Sequence, residues 1–344
     1  MTDFSITVLN PKGKDPEQHF RDFAGEVDPK FHPPVNFHAY AACLSGSFQK
    51  DVNHAIEIGK PVLMLIRKNM KTCLKTIKKL KEAGLTVAVS LKETGFHQLN
   101  GQLGNAKQLS LFKQILTLAD GVVSPTEALV PIYQSLRTNH NSDSALFIPT
   151  PYPVNDPRWD FSTSLELRQG IFIGTRELKT ASRNHLQSLI LITNTAKELN
   201  CRIGLINSNG KQLIKVLDTL NFPQEKCLIH TKLGYPDYLR FMSQHRVVFQ
   251  LDQSMVPGQV AGDCALTRQI AIGGNGSIDS LIFPDFCAKG QDRQNILKTL
   301  LFLMKDNDIY KQALRDSAEK AKKFLSFENV AKEIRKFYMS IKKS

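Results

Sequence analysis

The sequence predicts an α/β fold in two domains, each a parallel sheet covered by helices. Three observations carry that reading. Strand-like and helix-like segments alternate along the chain, the pattern that parallel sheets impose. A stretch with four prolines, from Pro149 to Pro157, interrupts the alternation near the middle. The 344 residues also exceed one ordinary core and suit two domains of roughly 150 residues each.

In the first half, short apolar runs predict strands at 6–9, 35–37, 62–66, 86–90, 121–124 and 146–148. Helical periodicity predicts helices at 52–58, 70–82, 108–118 and 127–136. Within 70–82, Met70, Cys73, Leu74, Ile77 and Leu80 share one helical face, and Lys71, Lys75, Lys78 and Lys79 lie largely on others. Residues 149–158 read as an extended linker, because proline fixes φ and removes a donor. The alternation then restarts, with strands expected at 171–173, 202–206, 227–229, 247–251 and 270–272. Leu186, Leu189, Ile190, Thr193, Ala196 and Leu199 mark the first helix of this half by their spacing. From about 294 the sequence is mostly helical, with breaks near 306–308 and 326. No short internal repeat is visible. Two such domains on a stiff linker make a cleft, and clefts bind ligands.

Composition excludes several classes. At 42% hydrophobic and 22% charged, the chain is globular rather than disordered. No apolar run approaches the roughly 20 residues of a membrane-spanning helix, and the N-terminus lacks the pattern of an export signal. Six scattered cysteines without a CxxC pair fit reduced thiols in the cytoplasm, and nine dispersed histidines offer no ligand pair. We therefore expect neither a disulfide framework nor a metal. A net charge of +13 attracts nucleic acid, anionic membranes and phosphorylated small molecules alike. Two clusters dominate it, Lys68–Lys81 and a C-terminal group with Lys320, Lys322, Lys323, Lys332, Arg335, Lys336, Lys342 and Lys343. They read either as solvated helix faces or as a peripheral contact with an anionic membrane. Neither interleaves aromatics for base stacking, so nucleic acid ranks low as a partner.

Several motifs, taken in order, resemble the retaining GT-B glycosyltransferases of the family 4-like group. Residues 247–276 run from a strand through Ser254, Gly258 and Asp263 to a second strand ending in Gly273-Gly274, and Leu281-Ile-Phe-Pro-Asp285 follows. Ile171-Phe-Ile-Gly174-Thr-Arg-Glu-Leu-Lys179 resembles the strand and basic loop that open the family's second domain. Leu233-Gly-Tyr-Pro-Asp-Tyr-Leu resembles its turn beside the nucleotide base, and Ala119-Asp-Gly-Val-Val-Ser-Pro-Thr-Glu127 its element before the linker. Three positions depart from the pattern: Met255 stands for the first glutamate of the paired acidic motif, Asp263 for the second, and Arg268 for a small residue.

The resemblance implies two Rossmann-like domains facing a cleft, with the C-terminal helix packing back on the first. It implies an acceptor-side domain at 1–150, a linker at 151–165, a nucleotide-sugar domain at 166–324 and a terminal helix at 325–344. A nucleotide-diphosphate sugar is then the donor, with a glycan, lipid or small molecule as acceptor. Retaining members need neither metal nor cofactor, because the leaving phosphate receives the acceptor proton on the face of attack. A diphosphate is held by amides at a helix start and by cations. Gly174, Thr175, Arg176, Lys179 and Arg183 suit that task, with Ser182 as helix cap and Gly13 in the first loop. Asp263, read as a helix-start carboxylate, would take ribose hydroxyls, with Gly258, Gln259 and Val260 against the phosphate or sugar. His230, Leu233 and Gly234 fall at the base. After the strand at 86–90, Glu93 or His97 is placed to take the acceptor proton, with His38 as a further candidate. Each of these residues also has an ordinary structural reading: turn, cap or solvated charge. Two other functions fit the same chain, a non-catalytic nucleotide-sugar-binding protein, suggested by Met255, and a nucleotide-sugar epimerase.

Overall fold

The computed structural model describes residues 4–22, 27–28, 30–137, 144–174, 178 and 180–342. The chain divides into two compact units: one of residues 1–156, 255–257 and 324–344, the other of residues 157–254 and 258–323.

The first unit is built on a seven-stranded sheet. Its strands are β1 (Thr7–Leu9), β2 (Gln18–His19), β3 (Ser47–Gln49), β4 (Val62–Ile66), β5 (Val87–Leu91), β6 (Gly121–Ser124) and β7 (Ala145–Phe147), in the order β2-β3-β1-β4-β5-β6-β7. Only β2 runs antiparallel, against β3. Every residue of β4 and β5 is buried, as expected of central parallel strands covered on both faces. The helices expected at 52–58 and 70–82 are α2 (Val52–Ile58) and α3 (Met70–Glu82). Asp51 opens α2 by accepting the Asn53 N–H, and Gly59 closes it at φ 65°. In α3, Asn69 caps the first turn through the Thr72 N–H, and Met70, Cys73, Ile77 and Leu80 form the buried stripe. After the short α4 (Leu99–Leu103), that stripe meets α5 (Ala106–Leu118), whose Phe112 and Ile115 join the same core, and α6 (Val130–Leu136) follows.

One expected strand is a helix. Residues 35–37 begin α1 (Phe37–Ala42), entered through Asn36 at φ 52°. All six α1 residues are buried, so no polar face marks its period and the apolar run reads as a strand. The two-residue β2 and the three-residue β3 gave no periodic signal.

The second unit holds a five-stranded parallel sheet of β8 (Ile171–Ile173), β9 (Ile203–Ile206), β10 (Cys227–His230), β11 (Val247–Phe249) and β12 (Ile270–Ile272), in the order β10-β9-β8-β11-β12. Its helices are α7 (His185–Glu198), α8 (Gly210–Thr219), α9 (Tyr235–Ser243), α10 (Gln259–Thr267), α11 (Ser277–Ile282), α12 (Arg293–Lys305) and α13 (Asn307–Leu325). The last break is at Ser326, whose side chain caps α14 (Phe327–Ile341). This final helix belongs to the first unit. Its Phe337 lies against Gly121 of β6, where a Cβ would come within 2.5 Å of the ring, so glycine there admits the close packing. The proline-rich segment pairs with the chain just ahead of α14, with the Tyr152 N–H on the carbonyl of Leu325, the last residue of α13, at 2.7 Å.

Candidate functional site

In open parallel sheets the ligand site lies beyond the carboxyl ends of the strands, where the strand order reverses. Here the order reverses beside β1, between β3 and β4, in the first unit, and beside β8, between β9 and β11, in the second.

At the second unit's reversal, the backbone makes the site. Gly258 precedes α10 at φ 93°, a conformation that side chains resist. Gly258, Gly274 and Gly276 close around the carboxyl group of Asp279, which is 3% exposed. A Cβ on Gly258 would stand 2.8 Å from its Oδ2, one on Gly276 2.6 Å, and one on Gly274 would collide with Oδ1. Asp279 Oδ2 accepts the Gly276 N–H at 3.1 Å. Burial, with the charge of Asp252 second, pushes its pKa up to about 7. Beside this cage Arg183 donates to Asp252 at 2.5 Å, and Asp252 also accepts the Ser254 N–H at 2.7 Å. The loop 181–184 is tied to the same strand end by Gln253 N–H to the Ser182 carbonyl and by Asn184 to the Leu251 carbonyl, both 2.8 Å.

Gly174 follows β8 directly, with open space where a Cβ would stand. Thr175, Arg176 and Lys179 lie outside the described residues. Ser182 does not cap a helix. It sits in a 3-10 turn, and α7 starts later, after Asn184 at φ 50°. Nor is Asp263 a helix-start carboxylate. Because Gly258 lets α10 begin at Gln259, Asp263 falls in the second turn, 1% exposed, accepting the Tyr235 hydroxyl at 2.5 Å. Gln259 and Val260 are the first two residues of α10. Gly234 precedes α9 with half-buried Leu233 beside it. His230 ends β10 exposed, its ring edge-on to Phe241 at 4.4 Å.

At the first unit's reversal, side chains do the work. Buried Asn10 follows β1, donates to Asp15 at 2.7 Å and accepts from Arg67, just past β4, at 3.3 Å. Lys92, just past β5, pairs with Asp15 at 2.7 Å. Burial works against the Asp15 charge, but the hydrogen bond and charge of Lys92 hold its carboxyl below the usual range. Gly13 donates its N–H to the Asn10 carbonyl at 2.9 Å, and a Cβ on it would strike the Asn10 amide. His38 is stacked at 3.7 Å between His32 and Phe48, with Nε2 3.0 Å from the Pro16 carbonyl. Burial, then His32, lowers its pKa to about 3, so it is a neutral packing residue that fixes the β1 loop. Glu93 and His97 are exposed; Glu93 accepts from Gln98 at 3.1 Å, and the His97 ring folds over Gly95. Met255 clusters with this unit, its carbonyl accepting the Phe96 N–H at 2.9 Å.

The network Asn10–Asp15–Arg67–Lys92 and the buried Asp252 and Asp279 escaped sequence reasoning, and Tyr235 entered it only as part of the turn at 233–239. Position just past a strand was the available signal for Asn10, Arg67 and Lys92. Among the described residues, no group of three His, Cys, Asp or Glu side chains is placed to hold a metal ion.

Two open, mostly parallel sheets, each with a reversal of strand order, define a double Rossmann-like fold. No family model and no curated protein matches the sequence. Solved structures do. The chain is similar to the N-terminal domain of trehalose-6-phosphate phosphatase from Candida albicans, at TM-score 0.63 and 10% identity, covering 84% of this chain and 72% of that one. It is similar to sucrose-phosphate synthase from Thermosynechococcus elongatus, at TM-score 0.60 and 12% identity, over 98% and 99% of the two chains. A glycosyltransferase from Rickettsia africae aligns at TM-score 0.59 and 10% identity, over 85% and 80%. The fold is the GT-B fold of glycosyltransferases, in a divergent form.

Proposed function

We propose that the chain is a glycosyltransferase that moves a sugar from a nucleotide-diphosphate sugar to an acceptor hydroxyl, with retention and without a metal. The observation that carries this reading is the glycine-lined start of α10 beside the Arg183–Asp252 pair, at the strand-order reversal of the second unit. Backbone amides at Gln259 and Val260 and the guanidinium of Arg183 would receive the diphosphate and stabilise it as a leaving group. Asp263, buried and held by Tyr235, would support the start of α10 behind the donor sugar and ribose rather than touch them. Gly174, Thr175, Arg176 and Lys179 complete the donor loop in this reading, and His230, Leu233 and Gly234 flank the base. The acceptor, a glycan, lipid or small molecule, belongs to the first unit, with Gly13 in the β1 loop and Glu93 or His97 near its hydroxyl. A cytoplasmic protein in peripheral contact with an anionic membrane fits the basic α3 and α14; no helix among the described residues is long and apolar enough to cross one.

The test is turnover of UDP-, GDP- and ADP-sugars against an acceptor panel, with and without EDTA, reading nucleotide release and the anomeric configuration of the product by NMR. Acceptor-dependent release with retention, unchanged by EDTA, is expected. Isomerised donor without an acceptor would instead establish the epimerase reading. Met255 favours a second reading, a non-catalytic binder. Under it, Met255→Glu binds nucleotide and still turns nothing over.

A further inference from the structure

At the starts of α3 and α5, the first unit carries an open cavity of about 350 Å³. Three lysines from separate places line it: Lys68 after β4, Lys71 in the first turn of α3, and Lys107 in the first turn of α5. No carboxylate is among the lining residues. Among the described residues none of the three lysines makes an ion pair, whereas Lys81 pairs with Asp120 at 2.6 Å and Lys92 with Asp15 at 2.7 Å. An anion entering the cavity meets these positive charges and no negative one among the lining residues.

The walls favour the same ligand. α3 and α5, each of 13 residues, open onto the cavity through their capped first turns, so the positive ends of both dipoles face it. Asn69 and Asn105 cap those turns through Thr72 and Gln108 and stand on the rim. Met70, 1% exposed, forms an apolar wall that weakens solvent screening. Gln108 also lines the cavity, and its side-chain oxygen is buried without a partner; turned over, the amide presents N–H donors instead.

We propose that this cavity binds a phosphoryl group, as a soluble phosphate ester or as a lipid headgroup. The ammonium groups would take its oxygens and neutralise its charge. The site lies wholly in the first unit and requires no nucleotide, so its fate is separate from that of the donor site.

The experiment titrates the full chain with inorganic phosphate by calorimetry at low ionic strength. A parallel flotation assay uses phosphatidylcholine vesicles with and without phosphatidate. The test variant is Lys71→Glu with Lys107→Glu; the control is Lys75→Glu with Lys113→Glu, an equal charge change on the same helices outside the lining. An Arg183→Ala background removes phosphate binding in the second unit. Saturable phosphate binding weakened about tenfold in the test variant, and less than about twofold in the control, is expected. Phosphate binding without flotation identifies a soluble ligand. Phosphatidate-dependent flotation lost with the same lysines identifies a headgroup. If the test variant melts earlier than wild type, Lys107→Gln replaces it, with an expected weakening of about threefold. Absence of both kinds of binding, or equal loss in test and control variants, overturns the proposal.

Discussion

The two sheets finish their carboxyl edges with different materials. In the first unit, Asn10, Asp15, Arg67 and Lys92 reach in from three loops and bind one another. In the second, Gly258, Gly274 and Gly276 pack their main chain directly against the buried Asp279 carboxyl, with no room for a Cβ. The difference makes glycine the sensitive residue in one unit and paired charge the sensitive feature in the other.

The largest effects should come from filling the glycine cage. Gly274→Ala forces a Cβ into the buried Asp279 carboxyl, and Gly258→Val adds a side chain at positive φ. Each should cost about 3 kcal/mol in urea unfolding and abolish nucleotide binding. Next comes Arg183→Ala, which leaves the buried Asp252 without its cation. A loss of about 2 kcal/mol is expected, since Arg183 keeps some solvent contact. The corresponding change in the first unit, Lys92→Ala, should cost about 1 kcal/mol, because both partners there are partly exposed. Equal losses from Arg183→Ala and Lys92→Ala would erase the contrast.

Acid sharpens the comparison with a smaller effect. In the first unit, burial lowers His32 and His38, the latter to about 3, and Lys92 keeps Asp15 low against its own burial. All three have folded values below their ordinary ones. The stability from the histidines is therefore present above 6.5 and lost as pH falls below it, and that from Asp15 goes lower still. The first unit has one opposing group, Glu333, raised by burial, whereas the second unit sets a large shift of one sign against a large shift of the other. His245, lowered by burial to about 4, behaves like the first-unit histidines. Asp279 is raised to about 7, so its contribution is whole below 3.8 and lost as pH rises through about 7. The two offset each other between about pH 4 and 7. Hydrogen exchange resolved by unit should show the first unit loosening more on acidification. Asp279→Asn should make the second unit follow it; an unchanged profile in that variant would refute the assignment of Asp279.

Much of this was legible in the sequence where a single element carries its own signal. α2, α3, β8 and β12 fall where periodicity and β-branched runs place them, because each has a buried face or a fully buried run between caps. α1 was illegible because burial on all sides removes the period. The start of α7 was read too early, at Ser182, because a serine ahead of an apolar run resembles a cap; the helix begins only after Asn184 at φ 50°. At the site, Gly258 stood out through its motif, but Asp279 reads as an ordinary acidic residue in a helix's first turn. The Arg183–Asp252 pair joins residues 69 apart, and Arg67–Asn10 joins residues 57 apart. Such pairs follow from strand order, which local patterns do not reveal.

The central claim is that the second unit's glycine-lined edge holds a nucleoside diphosphate. Its most direct test is a thermal-shift screen of the wild-type chain against UDP, GDP, ADP and their sugar conjugates, with Gly258→Val, Arg183→Ala and Asp263→Ala alongside. A ligand at one hundred times its Kd should add about 2.7 kcal/mol. The account predicts a shift with one base, lost in Gly258→Val and weakened in the other two. No shift with any nucleotide, or one that survives Gly258→Val, would contradict it.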